Sequence, residues 1–130
     1  MVTPREQVTN ALNAFTEKLI VKIVVNATAE IAELTPVDTG WARANWIPQL
    51  DSPAAGTAGT REAAENGVID LGRQSSGLAQ VVSGYKLPKK AFITNNVQYI
   101  IDLNDGSSKK APSGFIKTGI ALAIRKTLKS

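Results

Sequence analysis

The chain has 130 residues, with 15 Lys/Arg, 11 Asp/Glu and a formal net charge of +4, a length that suits one domain with a real core better than two. It contains no cysteine and no histidine, so disulfides, thiolate chemistry, the usual neutral-pH general base and the commonest transition-metal ligand are all excluded. Charge is uneven along the chain: residues 1–85 carry six Lys/Arg against nine Asp/Glu, and residues 86–130 carry nine against two.

The start, Met1-Val2-Thr3-Pro4-Arg5-Glu6, has no apolar run behind a basic head, so no signal peptide is expected. Thr3 reads as a helix cap, Pro4 as the first helical residue and Glu6 as the far side of a capping box. Val8, Leu12, Phe15, Leu19, Ile23, Ala27, Ile31 and Leu34 then recur at spacings of three and four. That spacing predicts a helix over 4–34 with one apolar face, ended by Pro36. Ile20, Val21, Val24 and Val25 widen the stripe, so this stretch should touch a second surface, either of the fold or of a neighbouring subunit. Lys22, Asn26 and Glu30 interrupt the most apolar part, so a soluble protein made in the cytoplasm, with no membrane partner, is expected.

Thr35-Pro36-Val37-Asp38-Thr39-Gly40 reads as a tight junction, with Asp38 and Thr39 as caps and Gly40 at positive φ. Trp41 and Trp46, with Arg43 between them, are expected to pack the junction onto the long helix. The same indole–guanidinium set also suits a base or a protein partner. Asn45–Leu50 predicts an edge strand containing Pro48. Residues 51–60 have no periodicity and no large side chain, which predicts a flexible loop. Residues 61–66 predict a helical turn, and 70–83 a helix with Leu71, Leu78 and Val82 on one face.

Lys86, Lys89 and Lys90 form a basic turn. Ala91–Asn95 predicts a strand closed by Asn95 and Asn96, and 97–103 is a short apolar stretch of either type. Turns follow at Gly106 and at Pro112 to Gly114, with Lys109 and Lys110 as a second basic pair. The chain closes on a predicted helix over 115–128, with Ile116, Ile120, Ile124 and Leu128 every four residues. The expected fold is α+β: a long N-terminal helix on a small antiparallel sheet, one or two shorter helices and a C-terminal helix.

No catalytic set stands out. The glycines form neither a Walker sequence nor a dinucleotide fingerprint. Asn104-Asp105-Gly106-Ser107 lacks the remaining ligands of a calcium loop. Asp38 or Asp70 with Asp102 is a carboxylate pairing expected by chance, and Ser107, Ser108 and Ser113 have no histidine to activate them. No enzyme activity, no cofactor and no metal are expected. The basic groups at Lys86, Lys89, Lys90, Lys109 and Lys110, joined by Trp41 and Arg43, are the candidate partner-facing or DNA-facing residues. They would attract phosphate without reading sequence.

Three segments resemble the tail-completion or neck proteins of tailed bacteriophages. They are Leu34-Thr35-Pro36-Val37-Asp38-Thr39-Gly40 with Arg43 and Trp46; Ile93-Thr94-Asn95-Asn96-Val97-Gln98-Tyr99-Ile100; and Leu103 to Phe115, with its glycine–serine turn and Ala111-Pro112-Ser113-Gly114. Residues 51–85 match least, and Trp41 and Lys110 depart from the pattern. The resemblance implies a structural virion protein, assembled in the host cytoplasm into the neck or tail. There it would form a ring, six-fold by the family's habit, and join a connector or stopper protein to a tail terminator or tail tube protein, with DNA passing non-specifically. The alternative reading is a small non-sequence-specific nucleic-acid-binding protein that uses the basic C-terminal half.

Overall fold

A computed structural model describes residues 1–106 and 113–129. Helix α1 spans Pro4–Leu34, 31 residues, and begins as expected: the Glu6 N–H donates to Thr3 Oγ1 at 3.1 Å. It ends at Thr35, whose buried hydroxyl donates to Ile31 O at 2.7 Å and accepts from Trp46 Nε1 at 2.8 Å. One indole thereby fixes where the helix stops and how the chain leaves it.

The short helix α2 (Trp41–Ala44) follows, then strand β1 (Ile47–Leu50), helix α3 (Arg61–Glu65) and helix α4 (Gly72–Gly84). Strand β2 (Ala91–Thr94), helix α5 (Ile100–Asn104) and helix α6 (Phe115–Lys129) complete the fold. β1 and β2 form a two-stranded antiparallel sheet, with Ile47 opposite Thr94 and Leu50 opposite Ala91. The fold is the expected α+β arrangement. Residues 97–103, open between helix and strand in the sequence, supply α5. β1 starts at Ile47, because Asn45 is buried and spends its side chain on a loop.

The chief partner of α1 is α6 rather than the sheet. The two helices run antiparallel, since Gly119 meets Ile31 while Thr127 Oγ1 accepts from Asn26 Nδ2 at 2.9 Å. The face of α6 turned inward is Phe115, Gly119, Ala123 and Thr127. This corrects the expected face: Ile120, Ile124 and Leu128 are exposed, and Ile116 is half-buried against the core. Small side chains let the backbones approach, and close approach gains more dispersion contact than a row of isoleucines held farther apart.

The same correction applies to α4. Its buried residues are Gly77 and Val81, while Leu71 and Val82 are exposed. Gly77 lies against β1, where a Cβ would collide with the Pro48 carbonyl oxygen. Val81 and Tyr85 then join Val24, Ile20 and Val21 of α1 in a second cluster. This explains the widened stripe as internal packing.

Residues 51–60 are irregular, as their composition implies, yet Ala54 and Ala58 are buried. Asn45 holds the segment from both sides: its Oδ1 accepts from Ala58 N at 2.6 Å and its Nδ2 donates to Ala58 O at 3.2 Å. Asn96 Nδ2 adds bonds to Ala54 O at 2.8 Å and Gly56 O at 3.0 Å. Apolar packing of Ala54 and Ala58 with Ile47 and the amide bonds from Asn45 and Asn96 together hold this loop.

Candidate functional site

Every residue from 1 to 15 is exposed, so the amino-terminal half of α1 stands clear of the body. The first attachment is Glu17, whose carboxylate accepts from Leu87 N at 2.9 Å and lies 3.8 Å from Lys86 Nζ. Near the far end of α6, Thr127 lies beside Asn26 of α1. The apolar stripe therefore divides. Ala27 and Ile31 are covered, whereas Val8, Leu12 and Phe15 remain 60%, 60% and 66% exposed. Thirteen residues from Pro4 to Thr16 correspond to an arm about 20 Å long.

The opposite end of α1 carries the junction. Gly40 adopts φ +90°, as its place in the turn requires. Pro36, Asp38, Thr39 and Gly40 line a cavity of about 800 Å³ together with Arg61, Glu65, Tyr99, Asp102, Asp105 and Gly106. The Arg61 guanidinium lies over the Tyr99 ring at 5.6 Å, and Tyr99 packs against Trp41 with centroids 6.2 Å apart. Burial raises the Tyr99 phenol above its usual range, with Arg61 opposing and Asp38 and Glu65 adding to the effect. Asp38 and Asp102 do share this cavity, and Asp70 does not line it. Among the described residues no group of three carboxylates is arranged to hold a metal ion.

Trp41 and Arg43 are engaged within the chain. Trp41 Nε1 donates to Ala58 O at 3.1 Å. Arg43 donates through Nε to Thr35 O at 3.2 Å and through Nη2 to Glu33 O, giving the last carbonyls of α1 a cationic cap. Asn95 Nδ2 donates to Ala42 O at 2.9 Å, while its Oδ1 accepts from Val97 N at 3.0 Å, which closes β2 as the sequence suggested.

The basic turn is exposed at Lys86, Lys89 and Lys90. Two of its three ammonium groups face carboxylates, Lys86 at Glu17 and Lys89 at 3.9 Å from Asp51. Lys109, Lys110 and Pro112 lie outside the described residues. Gly106 and Gly114 both take positive φ. Gly114 N donates to Asn104 O at 2.6 Å and Ile116 N to Asn104 Oδ1 at 3.1 Å, so one asparagine ties the end of α5 to the start of α6.

A second, smaller groove of about 360 Å³ lies between the end of α1 and the start of α4, with Ala32, Glu33, Val37, Ile69, Leu71 and Gln74 along it. Sequence reasoning did not find this groove, because its walls come from segments nearly forty residues apart that carry no shared pattern. Nor did it single out Arg61 and Glu65, which reach the larger cavity through a single helical turn. Among the described residues no helix is long and apolar enough to cross a membrane. No protein-family model, curated protein or solved structure matches the chain.

Proposed function

We propose that this chain is a structural subunit of the tailed-phage neck, which associates with copies of itself and joins a connector or stopper protein to the tail terminator or tail tube. The observation that carries this reading is the arm of α1. A rigid helix whose apolar stripe continues bare beyond the body is a surface for another protein. The three resembling segments supply the neck assignment: Leu34 to Gly40, Ile93 to Ile100 and Leu103 to Phe115. The first two are the strand closures and helix exits that set the body against the arm.

The basic turn has its place in the same reading as a rim facing DNA or an acidic partner. With Lys86 and Lys89 each beside a carboxylate, its pull on phosphate is reduced relative to three unpaired lysines. Co-assembly tests the proposal. Purified protein mixed with connector and tail-tube proteins of a tailed phage is followed by light scattering and negative-stain imaging. Partner-dependent assembly with added density at the connector–tail junction is expected. A protein that ignores both partners yet binds duplex DNA tightly in salt well above physiological strength would overturn the assignment in favour of nucleic-acid binding.

A further inference from the structure

We propose that Asn66–Gly67, the turn that ends α3, is a self-modification site. The backbone of Gly67 converts Asn66 to aspartate and isoaspartate through a cyclic imide, at a rate set by how often α3 opens. The proposal is independent of the neck reading. It places a covalent change beside the larger cavity, which Arg61 and Glu65 of α3 line.

The chemistry follows from the residue pair. The Gly67 amide nitrogen, giving its proton to hydroxide, bonds to Asn66 Cγ. The Cγ–Nδ2 bond breaks, and that nitrogen takes a proton from water and leaves as ammonia. Water then opens the imide ring. Opening at Cγ gives aspartate at position 66, whereas opening at the α-carbonyl gives isoaspartate, with the main chain rerouted through Cβ. Water is the only co-reactant, and nothing is oxidised or reduced. The attack needs an uncrowded nitrogen, which glycine supplies because it has no Cβ. Asn66 is the only asparagine in the chain followed by glycine.

The folded turn holds this reaction in check. Asn66 is exposed, so water and hydroxide reach it. Ring closure, however, needs Gly67 N eclipsed with Asn66 Cβ about the Cα–C bond. Asn66 holds ψ 14°, which eclipses that nitrogen with the amide nitrogen of Asn66 instead and turns it away from Cγ. Hydrogen bonds fasten the arrangement. Gly67 N donates to Ala64 O at 2.9 Å, Val68 N to Ala63 O at 2.8 Å and Asn66 N to Ala63 O at 3.0 Å. Asn66 Nδ2 donates to Glu62 O at 3.1 Å, and Gly67 closes the helix end at φ +82°.

Reaction therefore waits for the turn to open. α3 has only five residues, and its start is held by Thr60 Oγ1, which accepts from Ala63 N at 3.0 Å. So short an exposed helix opens locally, without unfolding of the core. The product cannot close the turn in the same way. An aspartate carboxylate only accepts hydrogen bonds, so the bond to Glu62 O is lost. Isoaspartate adds a methylene to the main chain where Gly67 N must reach Ala64 O.

Peptide mapping by mass spectrometry tests this on the full chain, incubated at mildly alkaline pH both folded and in guanidinium chloride. In the unfolded chain Asn66 is expected to be the first asparagine to show amide-to-acid conversion. Isoaspartate is expected among the products, since direct hydrolysis would give aspartate alone. In the folded protein the same change should be about tenfold or more slower. Thr60→Ala removes the α3 cap and should speed the folded reaction about fivefold, with the unfolded rate unchanged. Asn66→Gln, whose longer side chain closes a larger and slower ring, should abolish the signal. Asp105–Gly106 can form the same imide, but from an acid and so without ammonia or a mass gain, which keeps the two sites separable. Equal rates folded and unfolded would overturn the proposal, as would a folded rate that Thr60→Ala leaves unchanged. So would conversion that comes first at another asparagine or yields no isoaspartate.

Discussion

Gly119 of α6 lies so close to Ile31 of α1 that a Cβ at position 119 would sit 2.7 Å from Ile31 Cγ1 and 3.1 Å from its Cα. The glycine is the contact point that lets the two longest helices of the fold meet. Gly119→Ala gains about 1 kcal/mol of helix propensity but forces a methyl into a filled interface, at about 1–3 kcal/mol. A net loss of about 1 kcal/mol is expected, and more than about 3 kcal/mol for Gly119→Val, whose branched chain has no room. Thermal unfolding followed by circular dichroism measures both.

Gly77 plays the same part between α4 and β1, with a harder neighbour. The atom in the way is the Pro48 carbonyl oxygen, which belongs to the backbone and cannot rotate aside. Gly77→Ala is expected to cost about 2–3 kcal/mol despite better helix propensity. Urea denaturation with an unchanged slope would locate the loss in the folded state. A stabilised variant would show that α4 sits farther from the strand.

At Gly40 the obstacle is conformational. A Cβ there would be 3.4 Å from Ile69 Cδ1, ordinary contact, but the residue holds φ +90°. Gly40→Val should destabilise by about 1–3 kcal/mol through backbone strain alone. A change within about 0.5 kcal/mol, the usual range for surface substitutions, would show that the junction relaxes.

Tyr99 makes the fold sensitive to alkali. Its folded pKa is raised, chiefly by burial, so the unfolded phenol ionises first. The stability from keeping the neutral ring in place is fully present below the unfolded value of about 10 and is lost as pH rises through the folded one. Denaturation midpoints taken on either side of pH 10 should fall less steeply in Tyr99→Phe than in the wild type. Equal slopes would show that the phenol is solvated.

Reversing Lys89 and Lys90 to Glu removes one long ion pair, Lys89 with Asp51, and exposed pairs contribute about 0–1 kcal/mol. Folding should change by less than about 1 kcal/mol, while association with an acidic partner or with DNA should weaken and lose salt dependence. Unchanged assembly and unchanged DNA binding would remove the basic turn from the proposed function.

The helix boundaries were legible because they are written locally. Thr3, Pro4 and Glu6 start α1 wherever it is placed, and Pro36 stops it. The α6 boundaries were read almost to the residue, yet its inner face was read one position off. Periodicity in Ile116, Ile120, Ile124 and Leu128 is a local pattern, whereas the choice of Gly119, Ala123 and Thr127 depends on how near Ile31 can come. The loop at 51–60 was opaque for a related reason. Its anchors, Asn45 and Asn96, lie outside it in sequence and act through single amide groups.

The sequence by itself determined the α+β class, the span of the long helix, the turn glycine at position 40 and the placing of both strands. Each of these depends on dihedral preference and on neighbours within one or two turns. Only the tertiary structure decided which faces are inside, that half of α1 stands free, and that a groove lies at its far end. Those outcomes turn on how closely two backbones can pack. Such distances are set by residues a hundred positions apart, as Asn26 and Thr127 are, and no local pattern carries them.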